Sequence, residues 1–157
     1  MTALWSDRKV VVAVGTGGVG KTTVSASLAL AAAASGKKTL VMTIDPARRL
    51  ANALGISDSG NTEHELSPEE LARHGIEVSE PLWAMMPDVK TTFDRLVERF
   101  APDSQRREAI LRNQIYEHFS TALAGSLEYA AVERLYEVYS SGRYDLIVLD
   151  TPPSRNA

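Results

Sequence analysis

"VVVAVGTGGVGKTTVSA", residues 10 to 26, sets a β-branched run against four glycines and a lysine, then opens into an alanine-rich stretch. Val10 to Val14 is continuously apolar and ends in glycine, as expected of a central parallel strand covered on both faces. From about Lys21 to Ser35 alanine and leucine dominate, which favours a helix, and Gly36 stands where a C′ residue belongs. Between them Gly15-Thr16-Gly17-Gly18-Val19-Gly20-Lys21-Thr22 fits the spacing G-x-x-x-x-G-K-[ST] in the context that motif requires, after a strand and opening a helix. Glycines let successive backbone N–H groups turn inward around phosphate oxygens. Lys21 can reach β and γ phosphates, Thr22 can ligate Mg²⁺, and the helix dipole adds positive potential. The stretch predicts a loop that cradles the phosphates of a nucleotide; the competing reading is a glycine-rich turn that only joins strand to helix.

Working outward, "KTLVMTI" (38–44) reads as a second strand leading into "DPARRLANALG", where Asp45 can cap a helix with Pro46 at its first position and Gly55 near its end. Residues 57–75 are polar and turn-rich, with "SPEEL" as a capping-box start of a short helix. "LWAMMPD" (82–88) suggests a third strand, and "KTTFDRLVERF" a helix that ends before Pro102. From Gln105 to Ser140 the apolar spacing is helical, broken near Gly125. "YDLIVLD" (144–150) is another buried strand, followed by "TPPSRNA". Strand, glycine loop, helix, strand is the pattern of a doubly wound, mainly parallel α/β fold, here with a helical insertion between the third and last strands, about residues 89–142. A strand followed at once by a proline-rich loop is a poor finish for such a domain. The expectation is one domain whose amino-terminal part is residues 1–157, truncated soon after Asp150.

Composition narrows the partners. The 157 residues are 44% hydrophobic and 24% charged, and 17 basic against 20 acidic side chains leave a net charge of −3, no footprint for nucleic acid or an anionic membrane. The absence of cysteine excludes disulfides, a thiolate zinc site and a cysteine nucleophile within the chain. His64, His74 and His118 are too scattered to suggest a metal site. The first apolar run lacks the flanks of a signal peptide, and "ASLALAAAAS" is shorter than a membrane span, so a cytoplasmic protein is expected.

Two carboxylates sit at predicted strand ends, the edge where parallel sheets bind ligands. Asp150 occupies the position of an aspartate that holds Mg²⁺ through a water, opposite the loop threonine; the bland alternative is a turn residue. Asp45 could orient a water toward a γ-phosphate, although N-capping alone also explains Asp-Pro-Ala before a helix.

"GTGGVGKTT", "TIDPARRL", "LWAMMPD" and "YDLIVLDTPPS", in this order and spacing, resemble the arsenite- and anion-transporting ATPases and the related targeting factors for tail-anchored membrane proteins. The resemblance runs from about Val10 to the last residue. It implies a P-loop at Gly15 to Thr22 with Thr23 beside the α-phosphate, Asp45 as the switch I residue that activates water, and Asp150 as the start of switch II. ATP and Mg²⁺ are the implied cofactors, with Lys21 and Asp45 as catalytic residues and Thr22 and Asp150 serving the metal. A homodimer is implied, as is a membrane-protein or client-helix partner that would use the helical segment, whose apolar face could equally be core.

Two departures stand out. Such loops usually read Gly-Lys-Gly-Gly, with that lysine reaching the partner's nucleotide, whereas this chain has Thr16. Arsenite favours thiolates, and there are none here. Arg48 and Arg49, just after Asp45, and Arg155, just after Asp150, are candidates to supply the missing charge; solvated arginines paired with surface carboxylates are the alternative. The functional expectation is Mg²⁺-dependent ATP hydrolysis driving a conformational switch, coupled to anion transport or membrane-protein targeting. Its competitors are a nucleotide-gated carrier with weak hydrolysis and a GTPase of the same class.

Overall fold

A computed structural model describes residues 5–44, 50, 62–122 and 126–153. Asp45, Arg48, Arg49, Arg155 and Gly125 lie outside the described residues. Strands β1 (Val10–Ala13), β2 (Thr39–Thr43), β3 (His64–Leu66), β4 (Leu82–Met85) and β5 (Leu146–Asp150) form one sheet in the order β1-β5-β2-β4-β3. All neighbours are parallel except β3 against β4. The helices bounded within the described residues are α1 (Lys21–Ala34), α2 (Pro68–Arg73), α3 (Val89–Phe100), α4 (Ser104–Leu111), α5 (Gln114–Ala122) and α6 (Ser126–Ser141). The fold is thus the expected mainly parallel α/β sheet with a helical insertion between β4 and β5.

The two faces of β2 and β5 separate the core. Val41, Leu146 and Val148 pack with Ala29, Ala32 and Ala33 of α1 and with Leu71 of α2. The alternate residues Leu40, Met42, Ile147 and Leu149 pack with Ala131 and Val138 of α6. Strands covered on both sides carry no outward polar alternation, which is why "TLVMT" and "LIVLD" are buried throughout.

Two local details change. Among the described strands β1 has a neighbour on one side only, β5, with Val12 47% exposed and Val14, just past the strand, 74% exposed. A β-branched run specifies a strand but not its place in the order, and β5 enters between β1 and β2. The second change is an additional helix end. The apolar period runs on past Leu111, but Asn113 interrupts it: its Oδ1 accepts the Ile115 N–H at 2.8 Å and starts α5.

The capping signals were legible. Ser67 and Glu70 exchange both bonds of a capping box at the start of α2. At the end of α1 the Lys37 N–H bonds Ala32 O and the Gly36 N–H bonds Ala33 O, with Gly36 at φ +80°. This is a Schellman close that turns the chain into β2.

Candidate functional site

The site grows from register. Ala13 of β1 and Thr43 of β2 both lie opposite Asp150 of β5, so three strands end level with one another at a single sheet edge. From that edge the glycine loop leaves β1 and climbs to α1. Gly18 and Gly20 sit at φ +78° and +86°, and a Cβ at either would meet nothing within 4 Å. Backbone conformation, rather than space, therefore demands glycine there. Gly20 is the N-cap of α1 and has no side chain to cap it, which leaves backbone donors at the helix start for a ligand.

Gly18, Gly20, Lys21, Thr22 and Thr23 line a cleft of about 300 Å³ with Thr151 and Pro153. The other predicted loop residues build its frame. Gly15 and Thr16 are half-buried, and Gly17 and Val19 are exposed. A Cβ on Gly17 would touch Pro153 at 3.9 Å, so the segment after Asp150 rests directly against the loop. Thr151 fastens that segment by donating its hydroxyl to Ala13 O at 2.6 Å. Lys21 folds back and donates from Nζ to Thr16 O at 2.8 Å. At Thr16, therefore, the backbone carbonyl takes part in the site's hydrogen bonding.

Beneath the cleft lies Asp150, fully buried. Its Oδ2 accepts the Thr22 hydroxyl at 3.0 Å and the Thr43 hydroxyl at 3.2 Å. Its Oδ1 has no hydrogen-bond partner among the described residues. A carboxylate shut away from water with an oxygen to spare is costly unless something cationic or donating completes it. The donors are hydroxyl and carboxylate oxygens, the hard set that suits Mg²⁺. The structure places Lys21 and Thr22 on this cleft with Asp150 beneath it, and adds Thr43, Thr151 and Pro153, which sequence reading did not single out. The signal for Thr43 was a second hydroxyl in an otherwise apolar strand, and Thr39 in the same strand gave it no distinction.

A second polar cluster lies away from the cleft. Arg134 of α6, its side chain 7% exposed, pairs with Glu63 at 3.0 Å and Glu137 at 2.6 Å. Arg143 also reaches Glu63. The Tyr144 hydroxyl donates to Glu63 Oε2 at 2.7 Å, and burial followed by that bond holds its phenol well above the ordinary range. In the insertion, burial and then a hydrogen bond to Asp94 likewise raise Tyr116. The bond to Asp94 raises the Lys90 ammonium.

A family model described as anion-transporting ATPase matches residues 8–157, nearly the whole chain. The chain belongs to the anion-transporting ATPase family. Among its relatives, a Chlorobaculum tepidum protein that carries the name of an arsenical pump-driving ATPase is 31% identical over 144 residues, 89% of this chain and 32% of that protein. The Paramecium tetraurelia protein "ATPase ASNA1 homolog 2" is also 31% identical over 144 residues, 89% of this chain and 39% of that one. The chain thus spans about a third of the length of these family members. Among solved structures, cobyrinic acid a,c-diamide synthase from Mycobacterium smegmatis, with bound ADP and magnesium, is similar at 22% identity and a TM-score of 0.49, over 94% of this chain and 51% of that one.

Proposed function

We propose that the chain binds ATP with Mg²⁺ at the loop after β1 and hydrolyses it, and that the cycle switches the protein between conformations. The observation that carries the reading is the 3.0 Å bond from Thr22 to buried Asp150 beneath a cleft on which Lys21 is the charged group among the described residues. Backbone N–H groups from Gly15 to Thr23 would hold the phosphates, and Lys21 would exchange its bond to Thr16 O for phosphate oxygens. Thr22, with Asp150 through a water, would hold Mg²⁺, which when bound supplies Lewis-acid stabilisation of phosphate charge. Asp45, two residues past the end of β2, would orient the attacking water. Arg48 or Arg49 would deliver the positive charge that Thr16 lacks, within one chain or across a homodimer.

The family description and the relative named as an arsenical pump-driving ATPase support coupling to anion transport, while coupling to membrane-protein targeting in the cytoplasm rests on the resemblance of the sequence motifs. No helix among the described residues is long and apolar enough to cross a membrane. One observation favours the second reading, a nucleotide-gated carrier with weak hydrolysis. Tyr129, Val132, Tyr136 and Tyr139 form an exposed apolar stripe along α6, suited to an apolar client helix.

Phosphate release by the full-length protein tests the hydrolytic reading. Asp45→Asn should lower turnover by about 10²- to 10⁴-fold, the range of lost general-base assistance, with nucleotide affinity retained. Unaltered turnover would reduce Asp45 to a helix cap. The arginine proposal expects alanine at Arg48 or Arg49 to lower kcat without weakening binding, with Thr16→Lys restoring part of the rate. Wild-type turnover in both single variants and in the double variant would contradict it.

A further inference from the structure

Thr43 ends β2 directly opposite Asp150 in the β2–β5 register, on the α1 face of the sheet that Val41 and Val148 share. It is 2% exposed, and its hydroxyl donates to Asp150 Oδ2 at 3.2 Å. Thr22 donates to the same oxygen from the first turn of α1. One carboxylate oxygen is thus gripped from two elements, while Oδ1 has no hydrogen-bond partner among the described residues.

Valine has the same shape, suits a buried strand, and would avoid burying a hydroxyl. Thr39 at the other end of β2 bonds the backbone at Lys37 O, as threonines at strand starts can do without wider consequence. Thr43 instead reaches a carboxylate 107 residues away. The two grips differ in kind. Thr22 sits on the cleft and would give its hydroxyl oxygen to a nucleotide-bound cation, whereas Thr43 does not line the cleft and stays on the carboxylate.

We infer that Thr43 is a positioning residue for the divalent cation: its hydroxyl holds the Asp150 carboxylate turned toward the first turn of α1 once Thr22 is engaged. The inference rests on the proposed nucleotide site. Outer-shell partners of metal-binding groups matter in this way because they fix the orientation of the inner ones, and their loss typically costs about 10- to 100-fold in metal affinity.

The test is calorimetric titration of ADP into the full-length protein, first in chelator and then across a Mg²⁺ series, with Mn²⁺ binding to the ADP complex followed by electron paramagnetic resonance. Thr43→Val should leave ADP affinity in chelator unchanged and raise the Mg²⁺ concentration needed for the half-maximal effect by about tenfold. Thr43→Ser, which keeps the hydroxyl, should restore the wild-type dependence. If Thr43→Val does not fold, Thr43→Ala carries the same expectation. An unchanged Mg²⁺ and Mn²⁺ dependence in the variant that lacks the hydroxyl overturns the inference and leaves the nucleotide reading standing. Failure of the wild-type protein to bind ADP would overturn both.

Discussion

At the scale of single residues, Gly20 and Lys21 divide the demands of the loop between them. Gly20 adopts φ +86° and hands the chain into α1, with open space where a Cβ would go. Gly20→Ala would therefore meet no clash, only the left-handed backbone penalty of about 1–2 kcal/mol. Urea unfolding should report a loss of that size, and wild-type stability would mean the loop can adopt another path. Lys21 folds back on the glycine loop, where Nζ donates to Thr16 O at 2.8 Å, a bond that phosphate oxygens would replace in the proposed nucleotide complex. Both residues were legible in the sequence because the motif ties residue type to backbone geometry. Thr43 was not, since nothing in a strand's sequence says which threonine will face a carboxylate from a strand 107 residues away.

At the scale of elements, local chemistry was read well and long-range placement less so. Helix starts announce themselves through nearby side chains. Asp88 Oδ1 accepts both the N–H and the hydroxyl of Thr91 at 2.7 Å, and Asp103 Oδ1 accepts the Arg106 N–H at 2.7 Å. Asp88→Ala should cost about 1 kcal/mol through the start of α3, measured as a lower urea midpoint with an unchanged slope. No loss would mean that Thr91 or water replaces the cap. By contrast β3, "HEL", hid in a polar stretch because three residues carry too little pattern to mark a strand. Its antiparallel pairing with β4, His64 opposite Ala84, comes from tertiary contact. The helical insertion also mixes roles that a period cannot separate. One side of α6 buries Ala130, Ala131, Arg134 and Val138, while Tyr129, Val132, Tyr136 and Tyr139 stay exposed.

At the scale of the molecule, the sheet joins the edge beneath the glycine loop to a largely buried polar hub around Arg134 and Glu63. Glu63, just before β3, collects Arg134 from α6 and Arg143 and Tyr144 from the approach to β5. Removing one partner of a buried ion pair leaves the other uncompensated, at about 3–5 kcal/mol. Glu137 still neutralises Arg134 in part, so Glu63→Ala should fall near the lower end, about 3 kcal/mol by urea unfolding. A loss below about 0.5 kcal/mol, the range of ordinary surface substitutions, would mean that the hub contributes little to stability. The central claim concerns the edge where Ala13, Asp150 and Thr43 end in register beneath the glycine loop. Its most direct test is calorimetric titration of ATP with Mg²⁺ into the full-length protein and into Lys21→Ala. The account predicts one site per chain in the wild type and an affinity about 10- to 100-fold weaker in the variant, the worth of one hydrogen bond to a charged group. Equal affinity in the two proteins, or no binding in either, would contradict it.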